Sequence, residues 1–234
     1  MSLSSPIFAL KREARQIGRR QNMPLHAALN AVARREGYRS WSHLSDNQKA
    51  TDPLWTLLNT TGDGGLFLLG GRPGHGKTLL ALRLLDQAAR NSGNATFFTL
   101  DYSVPQVSNR LEPLGLATPP RFDMDVSDNI TAAYVAEQMD AQGGPSVGVI
   151  DYLQVLDQNR STPPLANQVR ELANHVARTR DTIVVLSQVD RQFDAKNSTM
   201  PTPEDIRQPN PFDLQAFDAI VLLHNDQVQV FKQG

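Results

Sequence analysis

The sequence predicts an α/β fold, a parallel central sheet flanked by helices and preceded by a small helical module. Three observations predict it. From residue 65 onward, short apolar runs rich in β-branched and aromatic residues alternate with stretches of helical periodicity. The octapeptide Gly71-Arg-Pro-Gly-His-Gly-Lys-Thr78 fits the phosphate-loop pattern G-x-x-x-x-G-K-[ST], between the apolar run Leu66-Phe-Leu-Leu69 and the helix former Leu79-Leu-Ala-Leu-Arg-Leu-Leu85. The stretch Val147-Gly-Val-Ile150 is apolar on both faces, as expected of a central parallel strand.

A chain of 234 residues has room for one such domain plus an appendage, but hardly for two full domains. No apolar stretch approaches the length that crosses a bilayer, so no membrane association is expected. The Ser- and Arg-containing start lacks the long apolar core of a secretory signal, which leaves an organelle transit segment as the minor alternative to a cytoplasmic protein. Cysteine is absent, so disulfides, thiolate metal sites and a cysteine nucleophile are excluded. The net charge of −1 hides an asymmetry: the first fifty residues carry +6 and the remainder −7. An anionic partner for the basic part is one expectation.

Taken in order, residues 1–50 read as a basic helical module. Ile7, Leu10, Ala14 and Ile17 share one helical face, with Lys11, Arg12, Arg15 and Arg19 on the other. A second helix is expected from about Asn22, with Pro24 in its first turn, Leu25, Leu29 and Val32 as its apolar stripe, and Gly37 as its stop. Tyr38, Trp41 and Leu44 suggest a short third helix. Such a module could bind nucleic acid in the manner of a helix-turn-helix, dock on a protein partner, or simply present a solvated face. Residues 51–64 read as a linker, and 65–234 as the α/β domain.

Within that domain, strands are expected at Leu66–Leu69, Ala95–Leu100, Val147–Ile150, Ile183–Leu186, Ala219–Leu223 and Val228–Phe231. Helices are expected after the phosphate loop, from Pro105 to Leu114, from Thr131 to Met139 and from Leu165 to Arg180. Asp101, Asp151 and Gln188 then fall at carboxyl ends of strands, where open α/β sheets bind ligands. The proline-rich segment Asp194–Pro211 reads as a mobile loop near that edge.

The chemistry follows from residue types. Gly71, Gly74 and Gly76 let backbone N–H groups close around an anion at the positive end of the next helix. Lys77 would reach the β- and γ-phosphates of ATP, and the Thr78 hydroxyl would take a place on Mg²⁺ opposite Asp151. His75 occupies a position that needs only backbone, so its side chain is expected to face solvent passively. Asp101 is the candidate base or polariser for an attacking water, and Gln188 the candidate γ-phosphate contact.

Six separated pieces, in order, resemble the RecA-like motor domain of DnaB-type replicative DNA helicases over about residues 60–233. Gly70-Gly-Arg-Pro-Gly-His-Gly-Lys-Thr78 is similar to that family's phosphate loop, Phe98-Thr-Leu-Asp-Tyr-Ser103 to its catalytic stretch, and Val149-Ile-Asp-Tyr-Leu-Gln154 to its Mg²⁺ strand. Leu186-Ser-Gln-Val-Asp-Arg191, Asp205-Ile-Arg207 and Phe217-Asp-Ala-Ile-Val221 continue the series. Lys232-Gln233 sits where the family carries a lysine that acts on a neighbour's nucleotide.

The resemblance implies ATP hydrolysis between subunits of a ring or filament, with single-stranded DNA in the channel. It also implies a nucleotide site of Gly71, Arg72, Pro73, Gly74, His75, Gly76, Lys77, Thr78 and Leu79, with Lys232 added. Two departures point to slow turnover: Asp101 stands where the family has a glutamate, and the arginine expected two residues past Lys232 has no counterpart. Arg191 and Arg207 are candidates to replace it. The helicase's own amino-terminal domain gives way to the basic module. The rival reading is a nucleotide-gated adaptor that binds ATP with little hydrolysis and docks through residues 1–50; a small-molecule kinase fits less well.

Overall fold

A computed structural model of the chain describes residues 7–21, 23–44, 64–90, 93–112, 122–157, 162–196, 198–225 and 227–232. These fall in two compact units, one within residues 1–56 and one within 57–234.

In the first unit, α1 (Ile7–Arg20) packs on α2 (Leu25–Arg35) through Leu10, Ala14, Ala28 and Val32, with Ile17, Met23, Leu29 and Trp41 around them. The expected start of α2 at Asn22 lies outside the described residues. Pro24 caps the helix from just outside it, its carbonyl receiving the N–H groups of Ala27 and Ala28. Leu25 is exposed, so Ala28 replaces it in the buried stripe. Gly37 ends α2 at φ +86°, a left-handed geometry that needs no Cβ. Residues 41–44 then make one helical turn, and Tyr38 and Leu44 close over Ala33. Glu13 binds Arg35 across the two helices with both oxygens, at 2.5 and 2.8 Å.

The second unit is a seven-stranded sheet in the order β3-β2-β4-β5-β1-β6-β7. Its strands are β1 (Gly65–Gly71), β2 (Asn94–Thr99), β3 (Phe122–Asp125), β4 (Ser146–Asp151), β5 (Thr182–Gln188), β6 (Ala219–His224) and β7 (Gln227–Lys232). All pairs are parallel except β6–β7, a hairpin whose turn residue Asn225 takes φ +48°. The α/β fold with a mostly parallel sheet is as the sequence predicts. Strand β3 was not foreseen: Phe-Asp-Met-Asp carries too few apolar residues to signal a strand, and this edge position buries little of it beyond Phe122.

The central strands bury both faces, which is why they read as continuous apolar runs. On one face Leu66, Leu68, Ile150, Ile183, Val185, Ile220 and Leu222 pack with α5 (Ala132–Asp140) and α6 (Leu165–Thr179). On the other lies α3 (Lys77–Arg90), packed on β1, β2 and β4 and buried at Leu80, Leu84 and Leu85. Each such side chain contributes about 2 kcal/mol of burial. Helix α4 (Val104–Leu111) opens with Ser103 and Gln106 in a capping box; the expected continuation to Leu114 lies outside the described residues.

Segment 194–211, read from sequence as a mobile loop, is instead fastened at Lys196, Thr202 and residues 205–207. Val189 bridges Ile206, Asp190 N–H donates to the Asp205 carbonyl at 2.7 Å, and Arg207 N–H to the Gln188 carbonyl at 2.8 Å. The Asp205 carboxylate receives Lys196 on one oxygen and the Thr202 N–H and hydroxyl on the other. Prolines here shape short 3-10 turns and leave polar groups to bind the neighbouring strand.

Candidate functional site

Strand β1 enters the sheet centre, and its last residues have no room for side chains. A Cβ on Gly71 would stand 2.7 Å from the Leu223 carbonyl oxygen and 3.3 Å from Lys77 Cγ. Gly74 and Gly76, at φ +82° and +85°, then turn the chain into α3, and the space beside Gly74 is open. The result is a concave loop of backbone amides at a helix N-terminus, the geometry that receives phosphate. Among the described residues, nothing but this loop and its strand-end neighbours combines these features with lysine, threonine and a buried carboxylate.

Thr78, in the first turn of α3, donates its hydroxyl to Asp151 Oδ2 at 2.9 Å. Asp151 closes β4, is 6% exposed, and is followed by a cis peptide. A hydroxyl and a carboxylate oxygen in contact beside a phosphate loop would supply oxygen donors for a Mg²⁺ ion that accompanies a nucleotide's phosphates. Thr78 and Asp151 both offer oxygen, the donor that Mg²⁺ takes, and no cluster of three His, Cys, Asp or Glu occurs among the described residues. These residues fit Mg²⁺·nucleotide.

Lys77 folds back over the loop, its ammonium donating to the carbonyls of Gly71 and Arg72 at 2.8 and 3.1 Å. Burial holds this ammonium below the ordinary lysine range; the Asp151 carboxylate opposes that shift and the Arg72 guanidinium adds to it. A half-buried cation resting on carbonyls gains from a phosphate partner.

Strand register places the other candidates. Gly71 pairs with Gln188, so Gln188 borders the loop, and Val189 N–H donates to the Gly71 carbonyl at 3.2 Å. Thr99 pairs with Asp151, which sets exposed Asp101 two residues beyond the metal row, its N–H held by the Thr99 hydroxyl at 3.1 Å. Lys232 is not brought to this site. It pairs with Ala219, which pairs with Phe67, four residues back along β1 and thus roughly 13 Å from Gly71.

Sequence reasoning missed two neighbours of the loop. Arg72 makes a two-pronged ion pair with Asp194, at 3.0 and 2.6 Å, and donates to the Val189 carbonyl at 3.2 Å. His75, expected to face solvent passively, is partly buried instead. Its ring stacks on His224 at 4.7 Å, Phe193 meets His224 edge-on at 5.2 Å, and His75 Nδ1 accepts the Asn225 N–H at 3.2 Å. Burial, then the His224 ring and the cations Lys77 and Arg72, hold the His75 imidazole below its usual range, which keeps Nδ1 free to accept. Contacts across 122 and 150 residues leave no trace in local spacing.

Comparison with known proteins agrees with the fold. A family model described as DnaB-like helicase C terminal domain matches residues 123–233. The DNA repair protein RadA of Bacillus subtilis (strain 168) is 31% identical over 110 residues, 46% of this chain and 23% of RadA. The chain thus spans about a quarter of the length of the curated relatives it matches. The structure of a DnaB-like replicative helicase superposes with a TM-score of 0.58 at 14% identity, over 97% of this chain and 72% of that one. A KaiC-like protein from the hyperthermophilic archaeon Pyrococcus horikoshii OT3 gives 0.56 at 15% identity, over 73% and 80%. The phosphate loop precedes the family match and stands on its own motif and geometry. The resemblance read from the motifs is borne out: the unit that carries the loop has the RecA-like fold and, over residues 123–233, matches the DnaB-like helicase C terminal domain.

Proposed function

We propose that the protein binds ATP with Mg²⁺ and hydrolyses it as an oligomeric, helicase-motor-like ATPase that works on single-stranded DNA. The observation that carries this reading is the Thr78–Asp151 contact at 2.9 Å beside a glycine cradle with Lys77 in reach. In it, amides of Gly71 to Thr78 and the N-terminus of α3 hold the phosphates, with Arg72, Pro73, His75 and Leu79 shaping the loop. Lys77 exchanges two carbonyls for phosphate oxygens, Thr78 and Asp151 hold the ion, and Gln188 faces the terminal phosphate. Mg²⁺ supplies charge neutralisation at the developing transition state. Asp101 orients water, and Lys232, remote from its own loop, serves the site of an adjoining copy. In this reading residues 1–50 are a separate module, 51–64 a linker and 65–234 the motor, in a cytoplasmic protein. Among the described residues no helix is long and apolar enough to cross a membrane.

One observation favours a second reading. Asp101 is exposed and one methylene shorter than the glutamate of the resembled family, so water is held less firmly and the protein works as a nucleotide-gated adaptor docking through residues 1–50. Turnover measured with and without single-stranded DNA, beside Lys77→Ala, tests the two. The motor reading expects DNA-stimulated turnover well above the variant and a solution mass that rises with ATP. Turnover at the level of the variant, with or without DNA, contradicts it and leaves the adaptor.

A further inference from the structure

We propose that the Lys11–Arg15–Arg19 stripe of α1 is a nucleic-acid backbone site that acts without nucleotide. It deepens the DNA part of the reading above and is independent of the ATP part. Both acids of the described helical pair, Glu13 and Glu36, reach Arg35, at 2.5 and 3.3 Å. The Arg35 guanidinium in turn holds the Glu13 carboxyl below its usual range. That pairing joins α1 to α2 and leaves no acid, among the described residues, on Lys11, Arg15 or Arg19. All three are exposed, and Gln16 and Arg20 beside them are exposed as well.

Geometry selects the partner. Residues at i, i+4 and i+8 line up on a helix with a rise of about 6 Å per step. Three cations therefore present a straight row of about 12 Å, a spacing that suits successive phosphates of an extended strand. Between Lys11 and Arg19 this face of α1 carries no aliphatic or aromatic side chain, because Ala14 and Ile17, like Leu10 before them, turn inward onto α2. A bilayer would require apolar groups to enter it. Base stacking would need an aromatic platform, which the stretch from Lys11 to Arg19 lacks, so these three cations contact phosphates and are indifferent to sequence. The acidic balance of −7 in the rest of the chain makes this module the natural place for a polyanion to land.

Fluorescence anisotropy with the full chain, no nucleotide and a labelled 30-residue oligonucleotide of mixed sequence tests the proposal, at salt between 50 and 200 mM. Three phosphate contacts predict that the triple variant Lys11→Gln, Arg15→Gln, Arg19→Gln has a slope of log affinity against log salt smaller by about 2 than the parent. Its affinity at low salt is expected to fall about tenfold or more. Circular dichroism and calorimetric uptake of Mg²⁺·ATP by the same variant establish that the fold and the other site are intact. An intact variant with the parent's affinity and slope overturns the proposal. So does a parent that binds vesicles containing phosphatidylserine but not the oligonucleotide. Failure of ATP uptake in both proteins, with the oligonucleotide result as expected, contradicts the ATPase reading and leaves this site standing.

Discussion

Arg72, inside the phosphate loop, is gripped by both oxygens of Asp194, at 3.0 and 2.6 Å, from the segment that follows β5. One of the loop's cations is thereby already neutralised. Asp194 is half-exposed, so the pair contributes no more than about 1 kcal/mol to stability. Asp194→Asn should leave the melting temperature nearly unchanged and tighten Mg²⁺·ATP binding about two- to fivefold, as read by calorimetry. Unchanged or weaker binding would show that Arg72 does not turn to phosphate.

Asp101 offers a gain-of-function test. Lengthening it by one methylene should bring the carboxylate closer to the attacking water, and Asp101→Glu is expected to raise steady-state turnover severalfold with little change in nucleotide affinity. Lower or equal turnover removes Asp101 from the catalytic role.

Asp205 predicts an acid-sensitive strap. Burial alone would raise its carboxyl, but the Lys196 ammonium and the Thr202 N–H and hydroxyl outweigh that and hold it below the usual carboxylate range. A depressed folded-state value means that the stabilisation is complete above about pH 4 and is lost as pH falls through the folded value. At pH 7, Asp205→Asn should melt roughly 5 °C lower than the parent. The gap should narrow as the pH approaches 3; one that stays constant would place the stabilisation elsewhere.

Lys232 lies on the Phe67 row rather than at the loop, which makes it testable in mixtures. Lys232→Ala and Lys77→Ala should each be nearly inactive alone. If a Lys232 completes the site of another copy, mixing the two variants should restore a measurable fraction of turnover. A mixture that stays at the sum of its parts contradicts that assignment.

The parts legible in the sequence were those written in local pattern. The glycines at 71, 74 and 76 announce the loop, because a Cβ on Gly71 would strike the Leu223 carbonyl and Gly74 and Gly76 take a left-handed backbone, and the apolar runs before Asp151 and Gln188 announce buried strands with polar ends. Illegible were contacts that exist only after the sheet forms. Asp194 meets Arg72, and His224 meets His75, because β5 and β6 flank β1, an order that no spacing records. The 194–211 segment misled for a related reason: its prolines and polar residues look like an unfastened loop until Asp205 and Arg207 are seen bonded to the strand they follow. Strand β3 was hidden by its polar edge position.

Isothermal titration of the folded full chain with ATP, in Mg²⁺ and again in excess EDTA, tests the central claim most directly. Binding at one site per chain is expected, weakened at least tenfold by EDTA or by Asp151→Asn and abolished by Lys77→Ala. A well-folded protein that takes up no Mg²⁺·ATP at millimolar concentration, or takes it up equally after Lys77→Ala, contradicts the account.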